Sequence, residues 1–524
     1  MIKKISKVLK LGLIILLGFI LVGCKKTKKI PNSFNKADNY ENIYQVFVRS
    51  YADSNNDGIG DFKGLEQKLD YIKDLGFTAI WLMPIHPSPS YHGYDVTDYY
   101  NVNSDYGTLA DFKSLTTKAK SMGIDIYIDF VVNHSSSEHE WFKQALKGVE
   151  PYKDYYVFSK TSSNSYWHGA GNGSYYYGYF SGSMPDLNLK NQKVIDEIKK
   201  IAAFWIEQGV TGFRLDGALH YLRPDEYNSK AAIYTNAVTI IGELQEYCKS
   251  IYPDFNMIVE AWDKHYEYSK TFRADASPID FDMSSLILNA AISETYGGFF
   301  YQFKTMFDEY AEYDVDYCPV PFLMNHDMDR LASKAGFANN IKTQRLAAEI
   351  LLALPGSPIV YYGEEIGMKG IRAAGRNNQY DETVRLPYVS GDSTMTNWVK
   401  DYNNYNNIDS AKDQLSDETS LLNTYKKLLN LRKNNIALKY GNSFTEVTTN
   451  TNKSLICYTR TVTYNNKTQT ILVIHNISNS SQILPTVKGN LLYSTESNIS
   501  LEGLEKISGK STLIVDITKG YIKW

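Results

Sequence analysis

Cysteine is scarce in this 524-residue chain, with four residues, at 24, 248, 318 and 457. Cys24 apart, an odd number is left, scattered over about two hundred residues, which excludes a disulfide framework. Cys248, in an expected helix, and Cys318, before an apolar strand, fit the interior as small hydrophobes. An excess of one charge is also missing. With 55 Lys+Arg against 58 Asp+Glu and a net charge of -3, nothing favours a phosphate backbone, and nucleic acid is not expected as a partner. At 43% hydrophobic and 22% charged residues the chain can bury large cores but is no polytopic membrane protein. No convincing internal repeat is present.

The one long apolar run is N-terminal. Lys3, Lys4, Lys7 and Lys10 precede an apolar stretch from Leu11 to Gly23, a basic n-region and a short h-region that predict a secretory signal. Leu21-Val22-Gly23-Cys24 resembles a bacterial lipobox. This implies that Cys24 is the lipidated first residue of a mature, extracytoplasmic protein anchored to membrane lipid on the cell surface; the alternative is an ordinary signal, or a signal anchor, with an incidental cysteine. Lys25, Lys26, Lys28 and Lys29 then begin a polar linker over 25–39.

From residue 42 short apolar runs alternate with amphipathic stretches. Eight runs have strand character: 42–50, 78–84, 124–134, 210–216, 255–262, 277–284, 319–327 and 357–363. Most precede a helical pattern such as 194–209, where Val194, Ile198, Ile201 and Trp205 share a face. The fold class expected is α/β, a (β/α)8 TIM barrel over 40–134 and 191–436, with a doubly wound sheet as the competing layout. The Gly-, Ser- and Tyr-rich residues 135–190 are too long for a loop and predict a small inserted domain after strand 3. Short β runs over 437–524 predict a C-terminal antiparallel β-sandwich domain.

In a barrel the polar side chains at the C-terminal strand ends converge. Here they are Asn133, His134, Arg214, Asp216, Glu260, His326 and Asp327. Three carboxylates from three strands, with an arginine two residues before one of them and no Ser–His or Lys–Cys pairing, suit acid/base and nucleophilic work at an acetal. The 42 tyrosines, against 22 Phe and 7 Trp, fit sugar rings through a flat face and a polar tip, or reflect a compositional habit.

The runs DFVVNH (129–134), GFRLDGALH (212–220), IVEAW (258–262) and FLMNHD (322–327) resemble, in order, the four signature regions of the α-amylase superfamily of retaining glycoside hydrolases. MPDLN (184–188) resembles a fifth region, in the form of the group intermediate between oligo-1,6-glucosidases and neopullulanases, which includes lipoprotein α-amylases. The resemblance implies Asp216 as nucleophile, Glu260 as general acid/base and Asp327 as the carboxylate that holds sugar hydroxyls. Arg214, on the same side of its strand as Asp216, supplies the charge that keeps the nucleophile ionised. It further implies that His134 and His326 donate to the sugar, that Tyr94 stacks on it, and that Asp95 ends the glycone pocket paired with Arg385. Leu219, where many relatives have Lys, and Val259, where Gly is common, depart from the pattern.

Calcium is the cofactor expected, at two places. Asp53, Asn55, Asp57, the carbonyl of Ile59 and Asp61 have the spacing of an EF-hand-type loop, although its twelfth position is Gly64. Asn133, Asp186 and the carbonyl of His220 match the family's site between barrel and inserted domain. The function implied is endo-hydrolysis of α-1,4 bonds in starch, glycogen and maltooligosaccharides by a monomer, with an α-glucan as partner. The alternatives are an exo-acting α-glucosidase, a 4-α-glucanotransferase, or a non-catalytic glucan-binding lipoprotein. Gly217, small as in α-1,4-acting relatives, favours the first.

Overall fold

Runs rich in Ile, Val, Tyr and Trp form eight parallel strands: β1 Ile43–Val46, β2 Ala79–Leu82, β3 Asp125–Phe130, β4 Gly212–Leu215, β5 Asn256–Val259, β6 Ser277–Asp280, β7 Val320–Pro321 and β8 Ile359–Tyr361. They were located in a computed structural model that describes residues 40–524 apart from 228, 296–297, 314–316, 374–380, 400–406, 442, 448–452 and 465. The signal, Cys24 and the linker 25–39 lie outside the described residues. Among those described, no helix is long and apolar enough to cross a membrane.

Each strand pairs with its successor in the chain, β8 pairs with β1, and a parallel bridge from Phe322 to Ile359 closes the cylinder. Strand order without reversal makes this a barrel and not a doubly wound sheet. All eight expected strands are present, each shorter than its sequence run, and two of them end early for a visible reason. Asp280 accepts a hydrogen bond from the Met283 amide and caps the helix Phe281–Ile292, so the run 277–284 is a strand only as far as Asp280. Residues 323–327 leave the sheet after β7 and carry His326 and Asp327 over its mouth.

Inward-pointing Ile43, Trp81, Tyr127, Ile258, Ile279 and Phe322 fill the cylinder. The pattern is tight enough to specify a glycine: a Cβ at Gly212 would lie 2.5 Å from the Tyr127 ring. Outside, the helix Gln192–Glu207 buries Val194, Ile198, Ile201 and Trp205 as its periodicity predicts, and Asn191 caps it from the Lys193 amide. Burial of each such side chain is worth about 1.5–3 kcal/mol. Trp205 also donates its indole N–H to the Tyr99 carbonyl at 2.9 Å, which fixes the helix against the loop after β2.

Between β3 and that helix lie the helix Glu140–Leu146 and a three-stranded sheet of Phe158–Ser159, Tyr175–Tyr177 and Trp167–Gly169. The chain then returns beside the end of β3, where Asp186 bridges to His134 and Leu187 to Tyr156. The C-terminal region is a five-stranded antiparallel sheet in the order Ser443–Glu446, Leu455–Tyr464, Lys467–Asn476, Ser511–Lys523, Thr486–Ser494. A two-stranded ribbon, Gln482–Ile483 with Lys506–Ile507, encloses a second small core that includes Leu472, Ile474 and Leu513. Cys248 and Cys457 are buried thiols, and Cys318 lies 3.2 Å from the Ser357 hydroxyl.

Candidate active site

Strand register brings the first charges together. Asp129 on β3 pairs in register with Arg214 on β4, which pairs with Ile258 on β5, two residues before Glu260. Side-chain alternation turns Arg214 and Asp216 to the same side. The result is a buried fork: Arg214 Nη1 donates to Asp129 Oδ1 at 2.7 Å and to Asp216 Oδ1 at 2.6 Å, while Nη2 lies 2.9 Å from Glu260 Oε2. The guanidinium sits over Trp81, 5.2 Å from its ring centre. Burial works against its charge, but Asp129, Glu260 and Asp216 together hold its proton more tightly than usual.

One guanidinium cannot neutralise three carboxylates. Burial, with Asp216 and Asp327 nearby, pushes Glu260 up to about 7 against the pull of Arg214, so it holds a proton near neutrality. Burial pushes Asp129 upward as well. Glu260 also accepts the Gly217 amide at 3.0 Å. Gly217 reaches it in a left-handed conformation, φ 53°, where a Cβ would lie 3.1 Å from the Phe180 ring.

His326 organises the opposite wall. With the Gln45 amide 2.7 Å from Nδ1 as donor, Nε2 carries the proton and faces the Tyr94 hydroxyl at 2.6 Å and Asp327 Oδ2 at 3.1 Å. Burial, with Arg385 and Arg214 adding to it, lowers its pKa well below the usual value and keeps the ring neutral. Tyr94 donates to Asp129 Oδ2 at 3.0 Å and stacks on His326, ring centres 5.7 Å apart. Tyr94 is thereby fixed as an aromatic wall of the site. His134 is buried, with Nε2 3.1 Å from the Tyr94 carbonyl and Nδ1 3.4 Å from the Asn133 amide.

The expected Asp95–Arg385 pair is not formed. Arg385 Nη2 instead meets Asp327 Oδ1 at 2.9 Å and Asp381 Oδ2 at 3.2 Å, and Nε donates to the His326 carbonyl. Asp95 is satisfied locally, by the hydroxyls of Ser88, at 2.5 Å, and Ser90. The physical reason is proximity: two serines within seven residues of Asp95 both donate to its Oδ1, and the turn after 381 brings a second carboxylate to Arg385. Asp129, Gln45 and Trp81 are site residues that the strand-end reading missed, although each occupies an inward position of its strand. Asp381 carried no sequence signal.

The calcium donors differ in fit. In the loop, Asp53 accepts the amides of Asn55, Asn56 and Gly58, Asp57 accepts the Ile59 amide, and Asp61 binds Ser54 and caps the next helix at the Gly64 amide. Its carboxylates are thus turned onto the loop's own backbone. The second cluster fits a hard cation better. Asn133 Oδ1 is buried without a hydrogen bond, and Asp186 has no ion pair among the described residues, so burial pushes it up to about 7. An oxygen set short of positive charge is what calcium completes. Among the described residues no three His, Cys, Asp or Glu side chains converge as a metal cluster.

Glu260 also borders a cavity of about 610 Å³ whose lining includes Phe180, Tyr227, Tyr234 and Trp262. A protonated carboxyl, a second carboxylate on the same guanidinium and an aromatic cavity beside the acid can cleave or transfer an acetal.

Comparison with known proteins agrees with this chemistry. Residues 45–441 match the family "Alpha amylase, catalytic domain". Alpha-amylase 3 of Dictyoglomus thermophilum is 40% identical over 83% of this chain and 84% of its own. A 4-alpha-glucanotransferase of Thermotoga neapolitana is 34% identical over 86% of this chain and 99% of its own. The crystal structure of the alpha-amylase from H. orenii superposes with a TM-score of 0.81 at 33% identity, covering 92% of this chain and all of that one (100%).

Proposed function

The chain belongs to the α-amylase family of glycoside hydrolases and transferases, and from that premise we propose that it hydrolyses internal α-1,4-glucosidic bonds of starch, glycogen and maltooligosaccharides with retention. The observation that carries the retaining chemistry is the Arg214 fork, which holds Asp216 and Glu260 on one guanidinium. Retaining enzymes need the two carboxyls about 5–5.5 Å apart, close enough for one to attack as the other protonates. In the first step Asp216 attacks the anomeric carbon as its bond to the glycosidic oxygen breaks and Glu260 protonates that oxygen, so the departing chain leaves as an alcohol and a glycosyl ester remains. Water then attacks that carbon, Glu260 takes the proton back, and Asp216 is released. Asp327, oriented by Arg385 and the neutral His326, accepts hydrogen bonds from hydroxyls of the reacting sugar.

Transfer to a second sugar, named in the Thermotoga relative, uses the same groups and differs only in what attacks the ester. Chromatography of early products from soluble starch separates the readings. Oligosaccharides of mixed length with rising reducing ends are expected. Glucose alone would indicate an exo-acting glucosidase, and longer products without new reducing ends a transferase.

Calcium is proposed for Asn133, Asp186 and the His220 carbonyl, on the strength of the unpartnered Asn133 oxygen. For the Asp53–Asp61 loop it stands on spacing alone. A cation bound only by the folded protein stabilises it by mass action, so excess chelator should lower Tm and added calcium restore it. Asp186→Asn should remove that response, and a wild-type melting curve indifferent to chelator would count against the site. Attachment to the membrane through Cys24 likewise rests on the first 24 residues. It requires that wild type, but not Cys24→Ala, incorporate labelled fatty acid.

A further inference from the structure

Asp327 and the guanidinium that holds it both stand on irregular chain. Residues 323–327 have left the sheet, and Arg385 follows the short helical turn Glu382–Val384. Neither has a strand ladder to fix its place, so the two segments must be held together by side chains. Arg330, three residues after Asp327, spans them. Its amide donates to the Gly370 carbonyl at 2.9 Å, its Nε to the Val384 carbonyl at 2.9 Å and its Nη1 to the Tyr362 carbonyl at 2.7 Å. The guanidinium lies over the rings of Tyr361 and Tyr362, 4.5 and 4.7 Å from their centres. Tyr361 adds its hydroxyl to the same Val384 carbonyl at 3.1 Å, and Tyr362 donates to the Leu386 carbonyl at 2.7 Å. The backbone on both sides of Arg385 is thereby held. Arg330 is 2% exposed, and both of its side-chain hydrogen bonds among the described residues go to main-chain carbonyls. An apolar side chain would fill this space without the cost of burying a charge; what arginine adds is a planar fork that reaches two separate segments at once.

We propose that Arg330 is a positioning residue for Asp327: by tying the Val384 carbonyl to the loop that carries Asp327, it keeps the Arg385 guanidinium aligned with that carboxylate. The proposal rests on the placement of Asp327 at the reacting sugar. Arg330 acts through Arg385, and a displacement of about 1 Å in a group that orients the reacting sugar costs up to about a hundredfold in rate.

Arg330→Met should lower kcat on starch about ten- to a hundredfold with KM nearly unchanged, because the lost contact matters most in the transition state. A double-mutant cycle separates positioning from general support. In Arg385→Met, where Asp327 has already lost the guanidinium, adding Arg330→Met should cost no more than about twofold in kcat, while Tm falls as far as it does in the wild-type background. The same fold-loss in both backgrounds would make Arg330 merely structural, and a folded Arg330→Met with wild-type kcat would remove the role. If Arg330→Met does not fold, Tyr361→Phe decides: it deletes one donor to the Val384 carbonyl and should cost about threefold in kcat, the size of one neutral hydrogen bond. That loss should vanish in Arg385→Met, and no loss, or one undiminished there, would overturn the proposal. Wild-type kcat in Asp327→Ala would instead overturn the placement of Asp327, and this proposal with it.

Discussion

Glu260→Gln should lower kcat on starch by about two to four orders of magnitude, the range for loss of a general acid, while the protein still binds the polymer. The amide keeps the shape of the carboxyl and can still meet Arg214 through its carbonyl oxygen, but it has no acidic proton for the departing oxygen. A substrate that needs no such proton separates chemistry from collapse: α-maltotriosyl fluoride should still form the glycosyl ester in this variant. The wild-type pH profile follows from the same group. Glu260 is held near 7 by burial and by Asp216 and Asp327, so the acid form is lost, and activity with it, as pH rises through that value. Full activity on starch in Glu260→Gln, or an alkaline limb that persists unshifted in it, would sink the assignment.

The second large effect belongs to the residue that holds the buried carboxylates together. Arg214→Met should be destabilised by about 3–5 kcal/mol, because it strands buried Asp129 beside Asp216 and Glu260 with no cation. Activity should fall with it, since without the guanidinium Asp216 and Glu260 repel each other and lose their common anchor. Arg214→Lys distinguishes charge from shape. Lysine restores a charge but is a point donor, unable to hold Asp216 through one nitrogen and Glu260 through another. Stability should therefore recover in part and kcat should not. Thermal melts and steady-state kinetics on the two variants check this, and near-wild-type kcat in Arg214→Lys would show that the fork is unnecessary.

What could be read from the chain and what could not have different physical origins. The barrel strands were legible because each is an apolar run set off by an amphipathic helix, and Gly212 to Asp216 even carries the inward alternation on its face. Asp216, Glu260 and Asp327 were legible because charged groups at strand ends are conspicuous in apolar runs. Asp129 was overlooked inside DFVVNH, although its position two residues after inward Tyr127 turns it to the axis. Gln45 offers the same lesson, a lone amide at an inward place in β1. The Asp95–Arg385 pair failed for another reason. Which carboxylate an arginine meets depends on where loops pass, and neither Ser88 and Ser90 nor Asp381 declares that in sequence.

The central claim is that Asp216 attacks the sugar while Glu260 serves as the acid. A slow fluorinated α-glucosyl fluoride, which accumulates the ester because its hydrolysis is retarded, tests this most directly when the protein is digested and the labelled peptide sequenced by mass spectrometry. The account predicts one sugar per chain, on Asp216, and none in Asp216→Asn. A label on Glu260 or Asp327, or turnover of the reagent with no ester at any carboxylate, would contradict it.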